Sequence, residues 1–190
     1  GNMATISRTV KVVDTQAPVV TLIGEDTLYV EVRTEYKDQG ATALDNYDKA
    51  PQHIVEGEVN VNVIGEYPIA YIAKDQSGNQ SVPIIRYVLV RDATAPVIQL
   101  PSPQDTIQVG VYQKYQLEEP WFTDNYSNDS TLHAHLTIEG SYKRYFGNGS
   151  TDLLGVFNVD YIIEDGSGNQ ATVTRWVEVE DHRAPKLILE

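Results

Sequence analysis

The sequence predicts an all-β chain of two tandem sandwich modules, and three observations carry that reading. Asp-x-x-Ala-Pro occurs three times, at Asp14 to Pro18, Asp92 to Pro96 and Asp181 to Pro185. Each copy follows a Gly-Asn pair, at Gly1-Asn2, Gly78-Asn79 and Gly168-Asn169. The last two pairs sit inside Asp75-Gln-Ser-Gly-Asn-Gln80 and Asp165-Gly-Ser-Gly-Asn-Gln170. The motifs begin 78 and then 89 residues apart, at 14, 92 and 181. That period exceeds the repeats of helical solenoids and suits a small β-module repeated in series. The expected division is 1–13 as the final strand of an upstream repeat or a pairing strand, 14–91 as repeat 1, 92–180 as repeat 2, and 181–190 as the start of a further repeat.

Within each unit the strands follow in order. After Ala-Pro comes a short apolar run, Val19 to Ile23, Val97 to Leu100 and Lys186 to Leu189, where proline sets the approach without interrupting a central ladder. Thr27 to Val32 and Thr106 to Val109 read as the second strand. The clearest alternation is Tyr67 to Ala73, matched by Phe157 to Ile163. With a side-chain period of two, Tyr67, Ile69, Tyr71 and Ala73 share one face, as do Phe157, Val159, Tyr161 and Ile163, and these are the expected core. The last strand repeats an Arg-x-Val-x-Val phase at Arg8, Arg86 and Arg175. Its valines point inward and its arginine either snorkels at the edge or pairs with a carboxylate. No stretch has helical periodicity beyond a turn or two. About seven short strands per unit, separated by Gly, Asn and Asp turns, give an immunoglobulin-like sandwich, two of them end to end.

The motifs Asp-x-x-Ala-Pro-Val, Asp38-Gln-Gly-Ala-Thr-Ala-Leu-Asp-Asn46, Gly65-Glu-Tyr67, Asp75, Ser77-Gly-Asn79 and Arg86-x-Val-x-Val90 resemble the bacterial Ig-like repeat of some pesticidal crystal proteins and related hyalin-type repeats. The resemblance covers most of the first unit. In the second it covers both ends, but Gln116-Leu-Glu-Glu-Pro-Trp-Phe122 replaces the Asp-x-Gly-Ala-Thr pattern. It implies a spacer module of surface or secreted proteins, with no chemistry of its own.

Composition narrows the function. The net charge of −13, from 27 acidic and 14 basic residues, provides no basic stripe for nucleic acid or anionic lipid. Cysteine is absent, which removes thiol catalysis, thiolate metal sites and disulfides together. No apolar run approaches a membrane span. A cysteine-free Ig-like array points to a bacterial, secreted or cell-surface protein. No nucleophile elbow, Walker-type loop or dinucleotide fingerprint occurs, so the chain is read as a non-enzyme. His133 and His135 would share one strand face but have no third placed ligand for zinc. The Asp-x-Ser-Gly-Asn loops fail as EF-hand loops, because position six is Gln80 or Gln170 and position twelve Arg86 or Trp176. They read instead as turns in which Asp caps the backbone and Gly takes positive φ. Four Asn-x-Ser sequons, at Asn79, Asn125, Asn128 and Asn148, are coincidences of composition, and Asn148-Gly149 reads as a hairpin turn.

Two functions compete: a non-catalytic stalk or adhesin-type spacer, whose partners are neighbouring repeats, and an accessory module binding polysaccharide or another surface protein. The second rests on repeat 2, which is 11 residues longer between its Asp-Asn-Tyr and Gly-x-aromatic landmarks, 124 to 155 against 45 to 65. That insertion, within 129–152, carries Tyr142, Arg144 and Tyr145, with Trp121 just ahead. Aromatic rings beside arginine suit sugar faces, or else the segment is a longer hairpin whose Tyr142 and Phe146 cover the core.

No cofactor is required, and calcium is the candidate ion. In an Ig-like sandwich the start of the first strand lies at the same pole as the loops after the second and sixth strands. Asp14 should therefore meet Asp45, Asp48 and Asp75, and Asp92 should meet Asp124 and Asp165, with Ser127 standing where Asp48 does. Converging carboxylates call for a hard cation with oxygen ligands, or else are hydrated caps of their own turns.

Overall fold

The computed structural model describes residues 1–146 and 151–187. The chain divides into two compact units, Gly1–Arg91 and Asp92–Glu190.

In the first unit, β1 (Val19–Leu22) pairs antiparallel with β3 (Ala41–Leu44) as a two-stranded sheet. A four-stranded sheet runs β2 (Thr27–Glu31), β6 (Ile84–Arg91), β5 (Gly65–Lys74), β4 (Gln52–Glu56), with β2 parallel to β6 and the other pairs antiparallel. The alternation of β5 and β6 decides which face is buried. Ile69, Tyr71 and Ala73 point inward with Val88 and Val90. Tyr67 is only half-buried, its hydroxyl donating to the Val63 carbonyl at 2.8 Å.

The second unit repeats the plan. β7 (Val97–Gln99) pairs with β9 (Trp121–Thr123), and the larger sheet runs β10 (Thr137–Glu139), β11 (Gly155–Glu164), β12 (Gln170–Glu180), β8 (Thr106–Gly110). Phe157, Val159, Tyr161, Ile163, Val177 and Val179 form its core with Ile98 and Phe122. Each unit is thus a small two-sheet sandwich, with six strands among the described residues where about seven were expected.

Each buried face carries one arginine. Arg86, fully buried, donates from Nη1 to Asp38 Oδ1 at 2.5 Å and to the Tyr71 hydroxyl at 3.1 Å, from Nε to the Glu25 carbonyl, and from Nη2 to the Ile23 carbonyl. The arginine is therefore a core residue paired with a carboxylate, and edge snorkelling is ruled out. A buried guanidinium is tolerable only because nearly every N–H finds an acceptor.

Residues 1–13 and 186–187 are not in strands, and Ile6, Val10 and Val12 stand exposed, while 188–190 lie outside the described residues; pairing with a neighbouring repeat or a second chain is not a contact within this chain. Two local expectations are corrected. The insertion in the second unit is not a hairpin. It contains two short helices, α1 (Asp129–Ala134) and α2 (Tyr142–Phe146), and the Asn148-Gly149 turn lies outside the described residues. Asn128 starts α1 as its N-cap, Oδ1 accepting from Thr131 N at 3.0 Å. The two histidines consequently share no strand face. His133 packs edge-on against Phe122 at 4.9 Å between centroids, and His135 lies at the C-cap with Nδ1 near the Glu164 carbonyl.

Candidate functional site

At one pole of each unit three aspartates converge from three separate segments. Asp14 precedes β1, Asp45 follows β3 and Asp75 follows β5; Asp92, Asp124 and Asp165 occupy the same places around β7, β9 and β11. In each triad one carboxylate oxygen from every residue lies within 4.8 Å of the others.

Local turn chemistry fixes each carboxylate. Asp75 Oδ1 accepts from Asn79 N at 2.7 Å and Oδ2 from Asn79 Nδ2 at 2.7 Å, while Gly78 takes φ 95° to let the chain turn back. The same side-chain amide donates to the Asp14 backbone carbonyl at 3.3 Å, so one asparagine ties the turn to the start of the unit. The second unit reproduces this: Asn169 Nδ2 donates to Asp165 Oδ2 at 2.7 Å and to the Asp92 carbonyl at 3.3 Å, with Gly168 at φ 90°. Asp45 Oδ2 caps the amides of Tyr47 and Asp48, and Asp124 Oδ2 those of Tyr126 and Ser127.

These caps consume one oxygen of several carboxylates and leave the other. Asp14 Oδ2, Asp45 Oδ1 and Asp124 Oδ1 are buried at the atom level with no hydrogen-bond partner. An unpaired buried carboxylate oxygen is costly, and a hard cation relieves that cost for several carboxylates at once. The triads have distinct electrostatics. Burial, aided by the neighbouring charges of Asp124 and Asp165, raises the Asp92 pKa against hydrogen bonds from Ser167 and Thr94. Backbone donation from Asp48 and Tyr47 lowers that of Asp45.

Asp48 has another task. Its Oδ2 accepts from Gln76 N at 3.0 Å and its Oδ1 from Ala50 N at 3.0 Å. Ser127 Oγ does the equivalent in the second unit, accepting from Gly166 N at 3.0 Å. The Asp-to-Ser exchange thus preserves a brace on the turn after the long strand, and Asp48 stands outside the triad. Sequence reasoning missed Asn79 and Asn169, which tie Asp75 to the Asp14 backbone and Asp165 to the Asp92 backbone, although the repeated Asp-x-x-x-Asn spacing carried that signal.

The aromatic group of the insertion does not form one surface. Tyr142 is buried in the core. Tyr145 leans on Phe157 at 5.1 Å between centroids, and Arg144 lies over the Tyr145 ring at 5.7 Å. Trp121 is half-exposed on β9 and its Nε1 donates to Gln99 Oε1 on the paired strand.

No curated protein matches the chain. Among solved structures, it is similar to the fibronectin(III)-like modules of Clostridium thermocellum CbhA, with 13% identity and a TM-score of 0.37 over 90% of this chain and 100% of that one. It is also similar to the lipoprotein BT2262 from Bacteroides thetaiotaomicron, with 14% identity and a TM-score of 0.35 over 82% of this chain and 77% of the other. Residues 20–90 match the family model described as bacterial surface protein, Ig-like domain. With the two-sheet layering of both units, that match gives an all-β, immunoglobulin-like fold, and the first unit is similar to the Ig-like domains of bacterial surface proteins.

Proposed function

We propose that this chain is a non-catalytic spacer array of a secreted or cell-surface bacterial protein, of stalk or adhesin type, whose modules are fastened at their loop poles by calcium. One observation carries the reading. The same aspartate triad, drawn from three loops and holding buried oxygens without donors, recurs in both units. Asp14, Asp45 and Asp75 would hold one ion, and Asp92, Asp124 and Asp165 the other. Each ion would supply charge neutralisation to oxygens that the protein leaves without donors, adding to the loop contacts already made by Asn79 and Asp48 in the first unit and by Asn169, Ser127 and Ser167 in the second. Asp48 belongs to the turn and not to the ion.

The match of residues 20–90 to a surface Ig-like domain supports the location, and the Asp-x-x-Ala-Pro and Arg-x-Val-x-Val motifs support a kinship with pesticidal-crystal and hyalin-type repeats. The partners are the neighbouring repeats of the same protein. The rival accessory module draws less from the insertion, because Tyr142 is buried in the core, while Tyr145, leaning on Phe157, and Trp121 on β9 stay exposed.

Thermal melting in EDTA and in millimolar calcium tests the reading, because a ligand that binds only the folded state raises the midpoint by mass action. The expected result is a higher midpoint in calcium, abolished by Asp45→Asn with Asp124→Asn. Superimposable curves would remove calcium from the proposal.

A further inference from the structure

The larger sheet of the second unit presents, on its solvent side, a feature that neither core packing nor the aspartate triads use. Along β12, Arg175, Val177 and Val179 are buried, so Trp176 faces outward, 45% exposed. Along β11, Phe157, Val159 and Tyr161 are buried, so Asn158 and Asp160 face outward too. The register sets Asn158 beside Trp176 and Asp160 beside Thr174, with Thr106 on the far side of Trp176. Directly opposed residues on one face of a sheet are neighbours.

These polar side chains are fixed before any ligand arrives. Ser141 N and Oγ donate to Asn158 Oδ1 at 2.9 and 2.7 Å, Asn158 Nδ2 to Asp160 Oδ2 at 2.7 Å, and Thr174 Oγ1 to Asp160 Oδ1 at 2.8 Å. Gly140, at φ 116°, lets this turn approach so closely that a Cβ there would lie 2.3 Å from the Asn158 carbonyl oxygen. Each Asp160 oxygen accepts one bond from the protein, and a carboxylate oxygen accommodates two. The row is therefore rigid and retains hydrogen-bonding capacity beside an exposed indole. The first unit lacks it: Tyr87 holds the place of Trp176, but its neighbour across the register is Pro68.

We propose that this face, with Trp176 as stacking surface and Asn158, Asp160 and Thr174 as hydrogen-bonding row, binds a neutral polysaccharide. A pyranose ring offers an apolar C–H face ringed by hydroxyl donors, which suits an indole flanked by fixed acceptors. Acidic Glu139, Asp160 and Glu178 on the same face, within a chain of net charge −13, disfavour an anionic glycan. A flat apolar protein partner fits poorly, since it would strip water from Asp160 and Glu178 without donors in return.

The test is calorimetric titration and tryptophan fluorescence of the full chain with cellohexaose, xylohexaose and mannohexaose, and with an oligogalacturonide as the anionic control. At least one neutral hexasaccharide should bind at millimolar or lower concentration. Trp176→Ala should weaken it by about tenfold or more, and Thr174→Val by about threefold, while Trp121→Ala leaves it unchanged. Melting curves establish that the variants fold; should Trp176→Ala fail to fold, Thr174→Val and Trp121→Ala decide. Silence from all three neutral sugars at ~10 mM, equal binding of the oligogalacturonide, or binding that depends on Trp121 and not on Thr174 or Trp176, would each overturn the proposal.

Discussion

Arg175 donates to Glu118 from Nε at 2.6 Å and from Nη2 at 3.3 Å, the two-point contact that fits a guanidinium fork to a carboxylate. Glu118 stands where the second unit departs from the Asp-x-Gly-Ala-Thr pattern, and Arg86 of the first unit pairs instead with Asp38 of that pattern. The ion pair therefore survives a change of both residue and position. The Glu118 side chain is 14% exposed and the Asp38 side chain 34%.

That difference ranks two truncations. Removing one partner of a buried pair strands the other charge, at about 3–5 kcal/mol when both are buried. Glu118→Ala should approach that range, whereas Asp38→Ala should cost about 2 kcal/mol, since water reaches Asp38 and carbonyls still hold Arg86. Denaturant unfolding of each variant, with each unit's transition followed separately, measures the order; equal losses would show that exposure does not govern the pair.

The same pair sets an acid limit. Burial would raise the Asp38 pKa, but donation from Tyr71, Gly40 and Arg86 together holds it below the ordinary value. A depressed folded-state pKa contributes stability that is present above the unfolded value and lost as pH falls through the folded one. Melting of the first unit should thus weaken below the usual aspartate range, and Asp38→Asn should flatten that slope.

The raised pKa of Asp92 has the opposite sign. Its contribution is fully present below the ordinary aspartate value and is lost as pH rises through the raised one. Ion binding needs the deprotonated form, so metal and proton compete. The stabilisation by calcium should therefore fade with acidification, and in the second unit before the first. Midpoints with and without calcium across pH 4–7 read this; a calcium effect independent of pH would contradict it.

Two glycines separate backbone strain from collision. Gly78 needs positive φ, and a Cβ there would meet nothing within 4 Å, so Gly78→Ala should cost about 1–2 kcal/mol. At Gly140 the same change adds the close contact with Asn158, and the loss should exceed that of Gly78→Ala. Comparable melting midpoints for the two variants would count against the tight turn at Gly140.

Much of the fold was legible because period-two alternation is a local property. The inward faces of 69–73 and 157–163 and the valines after Arg86 and Arg175 follow from it directly, whereas those after Arg8 stand exposed. The aspartates that gather at each pole were also readable, since a sandwich brings the ends of its strands to common poles. The illegible parts are non-local or context-dependent. Glu118 meets Arg175 across 57 residues of sequence, and no spacing rule connects them. The helices of the insertion are too short for a periodic signal, and only the Asn128 cap marks one of them. Asp48 looked like a fourth acidic ligand, yet it is not among the aspartates whose oxygens lie within 4.8 Å of one another and instead braces the amides of Ala50 and Gln76, a choice that composition cannot reveal.

Calorimetric titration of the metal-free chain with calcium, with ions counted per chain, tests the central claim most directly. Two bound ions per chain are expected, falling to one in Asp45→Asn or in Asp124→Asn and to none in the double variant. The absence of saturable binding, or two ions still bound by the double variant, would contradict calcium-fastened modules.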